Sequence, residues 1–113
     1  MITYEQVVKW FDYNKETGEF TRKFRPRRHF NSDSDYTRWR KQVGKPVTRK
    51  SGDNYFKISI HKQDYFVHRL IWLYMHGEWP DITDHINRNR QDNRWVNLRS
   101  VNAKENSNNR SYQ

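Results

Sequence analysis

The chain contains no cysteine. That absence excludes a disulfide scaffold, a thiolate zinc finger, an iron–sulfur cluster and a cysteine nucleophile, and it suits a reducing compartment without requiring one. Glycine is scarce, at 4 residues, and no Gly-rich phosphate loop can be drawn through them, so a nucleotide-hydrolysing or dinucleotide-binding fold has no support. Long apolar runs are missing as well. The longest, residues 70–75, falls far short of the ~20 residues that a bilayer span needs. The N-terminus, Met1-Ile2-Thr3-Tyr4-Glu5-Gln6, has no basic segment followed by an apolar stretch, so no signal peptide is expected and the reading is a soluble, cytoplasmic protein.

What the chain does have is basic charge and aromatic rings. Its 113 residues carry 22 Lys plus Arg against 13 Asp plus Glu, a net charge of +9, with a sequence pI near 10.0. The length allows one compact domain or two lobes sharing a small core. An aromatic content of 16% is too high for a disordered polycation, so the chain is expected to fold with a basic surface. Arginine's planar fork grips phosphate in two places and phosphate neutralisation releases counterions, so the expected partner is a polyanion, nucleic acid first.

Local signals predict an α+β fold. Thr3 with Gln6 makes a capping box, and Val7, Val8, Trp10 and Phe11 recur at helical spacing, which predicts a helix over residues 4–13. Asn14-Lys15-Glu16-Thr17-Gly18 reads as a turn and residues 19–23 as a strand. The charged, proline-broken stretch 25–35 reads as an exposed loop, and residues 36–42 carry no decisive signal, a helix being one option. Tyr55, Lys57 and Ser59 alternate with Phe56, Ile58 and Ile60, which predicts a strand with one wet face; residues 61–64 fit a hairpin connection and 65–67 its return strand. Residues 68–76 are apolar almost all round and stop at Gly77, as a buried helix with a glycine cap does.

The last third changes character. Between residues 84 and 110 there are eight asparagines and six basic residues with little to bury. Residues 81–86 and 98–101 are strand-like, and Asn102 with Glu105 forms a second capping box, opening a helix to about residue 110. The order is strand, long loop, strand, helix. Within it, Asp84 places a hard-cation ligand beside His85, a base titrating near neutrality.

Asp84-His85-Ile86-Asn87, Asp92-Asn93-Arg94, Asn97-Leu98-Arg99 and Asn106 resemble the ββα-metal motif of the HNH endonucleases. More narrowly they are similar to the small phage-encoded and intron-encoded branch, whose last metal ligand is Asn instead of His. Asn97 follows His85 by twelve positions and Asn106 follows Asn97 by nine. Residues 55–80, including His68-Arg69-Leu70 and Gly77-Glu78-Trp79-Pro80, resemble the stretch that precedes the motif there. The resemblance implies a small antiparallel sheet with helices, followed by a C-terminal ββα-metal motif: residues 1–80 would form the DNA-binding region and 81–113 the nuclease motif, as one compact unit.

By the same resemblance Asp84 and Asn106 would hold one Mg²⁺ or Mn²⁺ and His85 would be the general base. Asn97 would tie the long loop to the strand and so fix His85, Arg99 is the residue put forward to hold the scissile phosphate, and the products would be a 5′ phosphate and a 3′ hydroxyl. The chemistry suits that allocation. An imidazole can take a proton from water at neutral pH, and two oxygen ligands leave room for water and phosphate on a hard cation.

For DNA grip, the candidates are Trp39 and the basic groups around it, Arg27, Arg28, Arg38 and Arg40, with Arg25 and Arg49 among the others. Lys57 lies on the wet strand face, Arg69 beside His68, and Arg88, Arg90 and Arg94 in the motif's loop. For His68 the favoured reading is a structural hydrogen bond at a helix end, a DNA or active-site contact the other. His29, His61 and His76 have no metal-spaced partner and read as surface or packing residues. Double-stranded DNA is the expected partner of a monomer or weak dimer, with no nucleotide cofactor. Whether the role is homing, phage competition or genome processing stays open. The competing reading is a non-catalytic, sequence-specific DNA-binding module of sheet-plus-helix type.

Overall fold

The computed structural model describes residues 1–101; the capping box at Asn102 and Glu105, the helix expected to residue 110 and the metal ligand expected at Asn106 lie outside the described residues. Thr3 and Gln6 close their capping box: the Gln6 N–H donates to the Thr3 hydroxyl at 3.2 Å, and the Thr3 N–H to the Gln6 side chain at 3.0 Å. They open α1 (Tyr4–Trp10), which ends three residues before the expected boundary. Phe11, Asp12 and Tyr13 instead form β1 (Phe11–Tyr13), antiparallel to β2 (Phe20–Arg22). Phe11 stacks on Phe20 with ring centroids 4.5 Å apart, and an aromatic pair joined across strands outweighs one more turn of a short helix.

The stretch 25–35 is not simply an exposed loop. A single helical turn spans Arg27–His29, and α2 (Asp33–Lys41) begins at Ser32, whose hydroxyl accepts the Asp35 N–H at 3.2 Å. Arg25 is 2% exposed, its guanidinium 3.6 Å from the Trp10 ring centroid, 4.3 Å from Phe30 and 4.5 Å from Trp39. Desolvated cation–π contacts of this kind are worth ~2 kcal/mol, which lets a charged side chain enter the core.

β3 (Lys57–Ile60) and β4 (Gln63–Phe66) pair antiparallel with Ser59 opposite Asp64. Ile58 and Ile60 face the core and Ser59 faces out, as the alternation predicts. The connection is two residues, shorter than expected: His61 and Lys62 take φ of 51° and 65°, the left-handed turn whose twist matches a tight hairpin. α3 (Val67–His76) follows directly and stops at Gly77, whose N–H donates to the Leu73 carbonyl at 2.8 Å. Its Val67, Leu70, Ile71 and Leu73 join Val7, Trp10, Phe11, Phe20 and Ile58 in one core, each buried aliphatic side chain contributing roughly 1.5–3 kcal/mol.

The last ribbon pairs β5 (Ile82–His85) with β6 (Leu98–Val101), antiparallel, with Asp84 opposite Arg99 and His85 opposite Leu98. Leu98, 6% exposed, anchors it to the core. The described residues thus hold three helices and three two-stranded antiparallel sheets, an α+β fold. No described helix is long and apolar enough to cross a membrane.

Candidate active site

His85 ends β5, 4% exposed, with its Nε2 2.7 Å from the side-chain oxygen of Asn93. An amide oxygen only accepts, so Nε2 carries the hydrogen and Nδ1 is left to take up a proton. Burial pushes the imidazole pKa below its ordinary value, against the opposing pull of Asn93, Asp84 and Asp92. The ring is therefore neutral at neutral pH.

Asn93 is itself fixed from the other end of the chain. It is 2% exposed, and its backbone carbonyl accepts the Tyr13 hydroxyl at 2.5 Å. Burial, then the Asp92 charge, pushes that hydroxyl's pKa up. The turn before β2 presses on the same place: the Trp95 N–H donates to the Lys15 carbonyl at 3.0 Å, and a Cβ on Gly18 would lie 2.7 Å from backbone atoms of both Asn93 and Arg94.

Between the strands, the loop is closed by amides. Asn97, 5% exposed, accepts the Asn87 N–H at 2.9 Å through its side chain and donates to the Asn87 side chain at 3.0 Å and the Asp92 carbonyl at 2.8 Å. Its own carbonyl accepts the Ile86 N–H at 2.8 Å. Asp92 receives two 2.8 Å bonds from Arg94 and one from Asn87, and the Arg94 bonds hold its carboxyl down to about 2.

Asp84 presents a carboxylate beside His85, its side chain 34% exposed, with the Arg99 Nη2 2.8 Å from Oδ2. No group of three or more His, Cys, Asp or Glu at metal-binding distance occurs among the described residues. The donor chemistry is one hard oxygen, which fits a loosely held, largely hydrated divalent cation and not a nitrogen- or sulfur-rich transition-metal nest.

A wall of rings stands behind His85. The His68 ring lies 4.9 Å from it and 4.9 Å from Tyr55, which is 5.8 Å from His85. Burial, then the neighbouring His85 and Arg69, pushes His68 down to about 3. Arg90 sits 5.0 Å over Tyr55 and donates to the Asp53 carbonyl at 2.8 Å, pinning the loop to the turn before β3.

The structure therefore brings Asp84, His85, Asn97 and Arg99 together, with Arg88, Arg90 and Arg94 on the same loop. The other basic residues lie elsewhere. Arg27 pairs with Asp33 at 2.6 Å, Arg38 with Asp35 at 3.3 Å and Lys57 with Asp64 at 3.7 Å. Arg28 and Arg40 are exposed, and Arg69 donates to the Pro80 carbonyl at 3.2 Å. Trp39, expected at the DNA surface, is instead a core residue, 8% exposed, with its indole N–H on the Lys23 carbonyl at 2.8 Å, so its ring packs inside the fold. Asn93, Tyr13, Gly18 and Tyr55 are not among the site residues expected from sequence, though Asn93 lies inside the motif; His68, read first as a structural histidine with an active-site contact as the other option, packs its ring against His85.

An Asp-His strand end, paired with a second strand across an asparagine-closed loop, has the strand–loop–strand order of the ββα-metal motif. Residues 65–108 match the family model described as HNH endonuclease. A solved structure of DNA binding and cleavage by the HNH homing endonuclease I-HmuI has a similar fold, with a TM-score of 0.53 and 21% identity over 90% of this chain. The match takes in 52% of that chain, so this one spans about half its length. No curated protein matches.

Proposed function

We propose that this chain is a divalent-metal-dependent DNA endonuclease with His85 as general base. The observation that supports it is the 2.7 Å contact between His85 Nε2 and Asn93, which leaves Nδ1 as the unprotonated nitrogen of a ring that neighbours Asp84 in the same strand. A water donating to Nδ1 passes its proton there as its oxygen bonds to phosphorus. The 3′ oxygen leaves with the bonding pair and takes a proton from solvent, giving a 5′ phosphate and a 3′ hydroxyl. General-base help of this kind is worth ~10²–10⁴-fold.

Asp84, with Asn106, would hold one Mg²⁺ or Mn²⁺. When bound, the ion neutralises charge on the phosphate and the leaving oxygen. Arg99 orients the Asp84 carboxylate through their 2.8 Å pair, and Asn97 keeps the loop closed so that Asn93 stays on the imidazole. Double-stranded DNA is the partner we assign, in line with the DNA binding and cleavage described for I-HmuI. The loop arginines 88, 90 and 94 would lie nearest the cut, with Arg27, Arg28, Arg38, Arg40, Lys57 and Arg69 tracking backbone. In this reading residues 1–80 grip and 81–113 cut, as one unit acting as a monomer or weak dimer.

Supercoiled-plasmid cleavage with Mg²⁺, Mn²⁺ or EDTA, wild type beside His85→Ala, tests the proposal. The expected result is metal-dependent nicking that His85→Ala loses. Unchanged cleavage by the variant would overturn His85 as the base, and a salt-sensitive gel shift without cleavage would leave a DNA-binding module.

A further inference from the structure

Away from His85, a cleft of about 440 Å³ opens between α2 and β3, lined by Arg22, Arg25, Arg38, Arg49, Lys57 and Lys62 with Asp35 as its one carboxylate. None of Asp84, His85 and Asn93 lines it. Six cations around one small cavity repel each other unless an anion sits among them. Asp35 and Asp64 answer two of the charges, through Arg38 and Lys57. Arg22, Arg49 and Lys62 have no ion pair among the described residues.

Arg25 is the independent observation. Among the described residues it is 2% exposed with no carboxylate at ion-pair distance, and its Nε is buried without a hydrogen-bond partner. Among the described residues its Nη2 reaches the His29 carbonyl at 3.4 Å and His61 Nε2 at 3.2 Å. Three aromatic rings cover the planar group within 4.5 Å, which leaves its donors along the edge, where a tetrahedral oxyanion is gripped. Burial pushes this guanidinium down to about 10, the mark of a cation lacking its counter-charge.

We propose that the α2–β3 cleft is a phosphate-binding site, separate from the nuclease site, with Arg25 at its base and Arg22, Arg49 and Lys62 around it. The phosphate comes either from the backbone of bound DNA, a source that rests on the nuclease reading, or from a free phosphate or nucleotide. The cleft itself stands without that reading.

The test follows the Arg25 Nε–H and His61 ring signals by NMR while inorganic phosphate replaces chloride at constant ionic strength, in EDTA and on the His85→Ala background, so that cleavage plays no part. A saturable shift is expected, with affinity falling roughly tenfold or more in Arg49→Gln/Lys62→Gln, both exposed positions, and holding in the control Lys9→Gln/Lys15→Gln. A short duplex that moves the same signals and is displaced by phosphate identifies the DNA backbone as the source. A phosphate response without a duplex response identifies a free phosphate species. Absence of both responses, or equal weakening by the cleft and control pairs, would overturn the site, whatever plasmid cleavage by the wild type shows.

Discussion

Replacing Gly18 with alanine asks whether the turn before β2 holds the asparagine that orients His85. Gly18 has a φ of +83°, and an added Cβ would lie 2.7 Å from the Asn93 carbonyl carbon and 2.7 Å from the Arg94 nitrogen. These are backbone atoms, which cannot swing aside as a side-chain tip does. The left-handed conformation costs alanine roughly 1–2 kcal/mol. Overpacking adds about 1–3 kcal/mol, so the loss is about 2–5 kcal/mol, a large share of the ~5–15 kcal/mol that keeps a domain folded. Gly44 supplies the comparison, because its φ is +79° but nothing lies within 4 Å of its Cβ position. Gly44→Ala therefore carries only the conformational part, about 1–2 kcal/mol. The difference between the two variants isolates the clash. Since the clash falls on residues 93 and 94, the 2.7 Å bond to His85 goes with it. Plasmid cleavage by Gly18→Ala should fall on the order of a hundredfold at a temperature where both variants are folded, while Gly44→Ala keeps the wild-type rate. Urea midpoints and initial cleavage rates read the two effects separately. Equal destabilisation of the two variants, with wild-type cleavage by Gly18→Ala, would refute the argument that this turn positions the base.

Asn93→Leu keeps the volume but leaves the His85 Nε2–H buried without an acceptor; initial rates should drop at least tenfold with substrate affinity held, and an unchanged rate would show that the ring is fixed some other way. The rate should rise as His85 loses its proton and level off, with the midpoint of that limb below 6.5, because burial lowers this pKa; a midpoint above 6.5 in a pH–rate profile would contradict the buried base. His68 titrates near 3 when folded and near 6.5 when unfolded, so the unfolded chain binds the extra proton in between. Stability should be full above about 6.5 and fall as pH drops from there toward about 3, a loss that His68→Phe lessens; equal urea midpoints for the wild type at pH 7 and pH 5 would count against it.

Features governed by sequence neighbours are legible in the chain, and those assembled from distant segments are not. The Thr3–Gln6 capping box, the Ile58 and Ile60 alternation and the Gly77 stop each depend on residues a few positions apart. Phe11 misleads because its partner Phe20 is nine positions away, and aromatic spacing alone suits a helix as well as this ribbon. Arg25 misleads for the same reason, since Trp10, Phe30 and Trp39 come from three different places to enclose it. At the site, the motif letters locate the ribbon but not the contact: Asn97 spends its hydrogen bonds on the loop, and Asn93 carries the one to the imidazole. The reason lies in burial. A ribbon with Leu98 as its core anchor has too little apolar surface to hide a histidine, so Tyr55 and His68 supply the wall behind His85, while Tyr13 and Gly18 brace Asn93. Tyr13 and Gly18 carry no motif of their own, and Tyr55 and His68 belong to the stretch before it. Their part in the site follows from where the fold delivers them, and that is why the upstream segments are expected to tolerate substitution least where they touch residues 85 and 93.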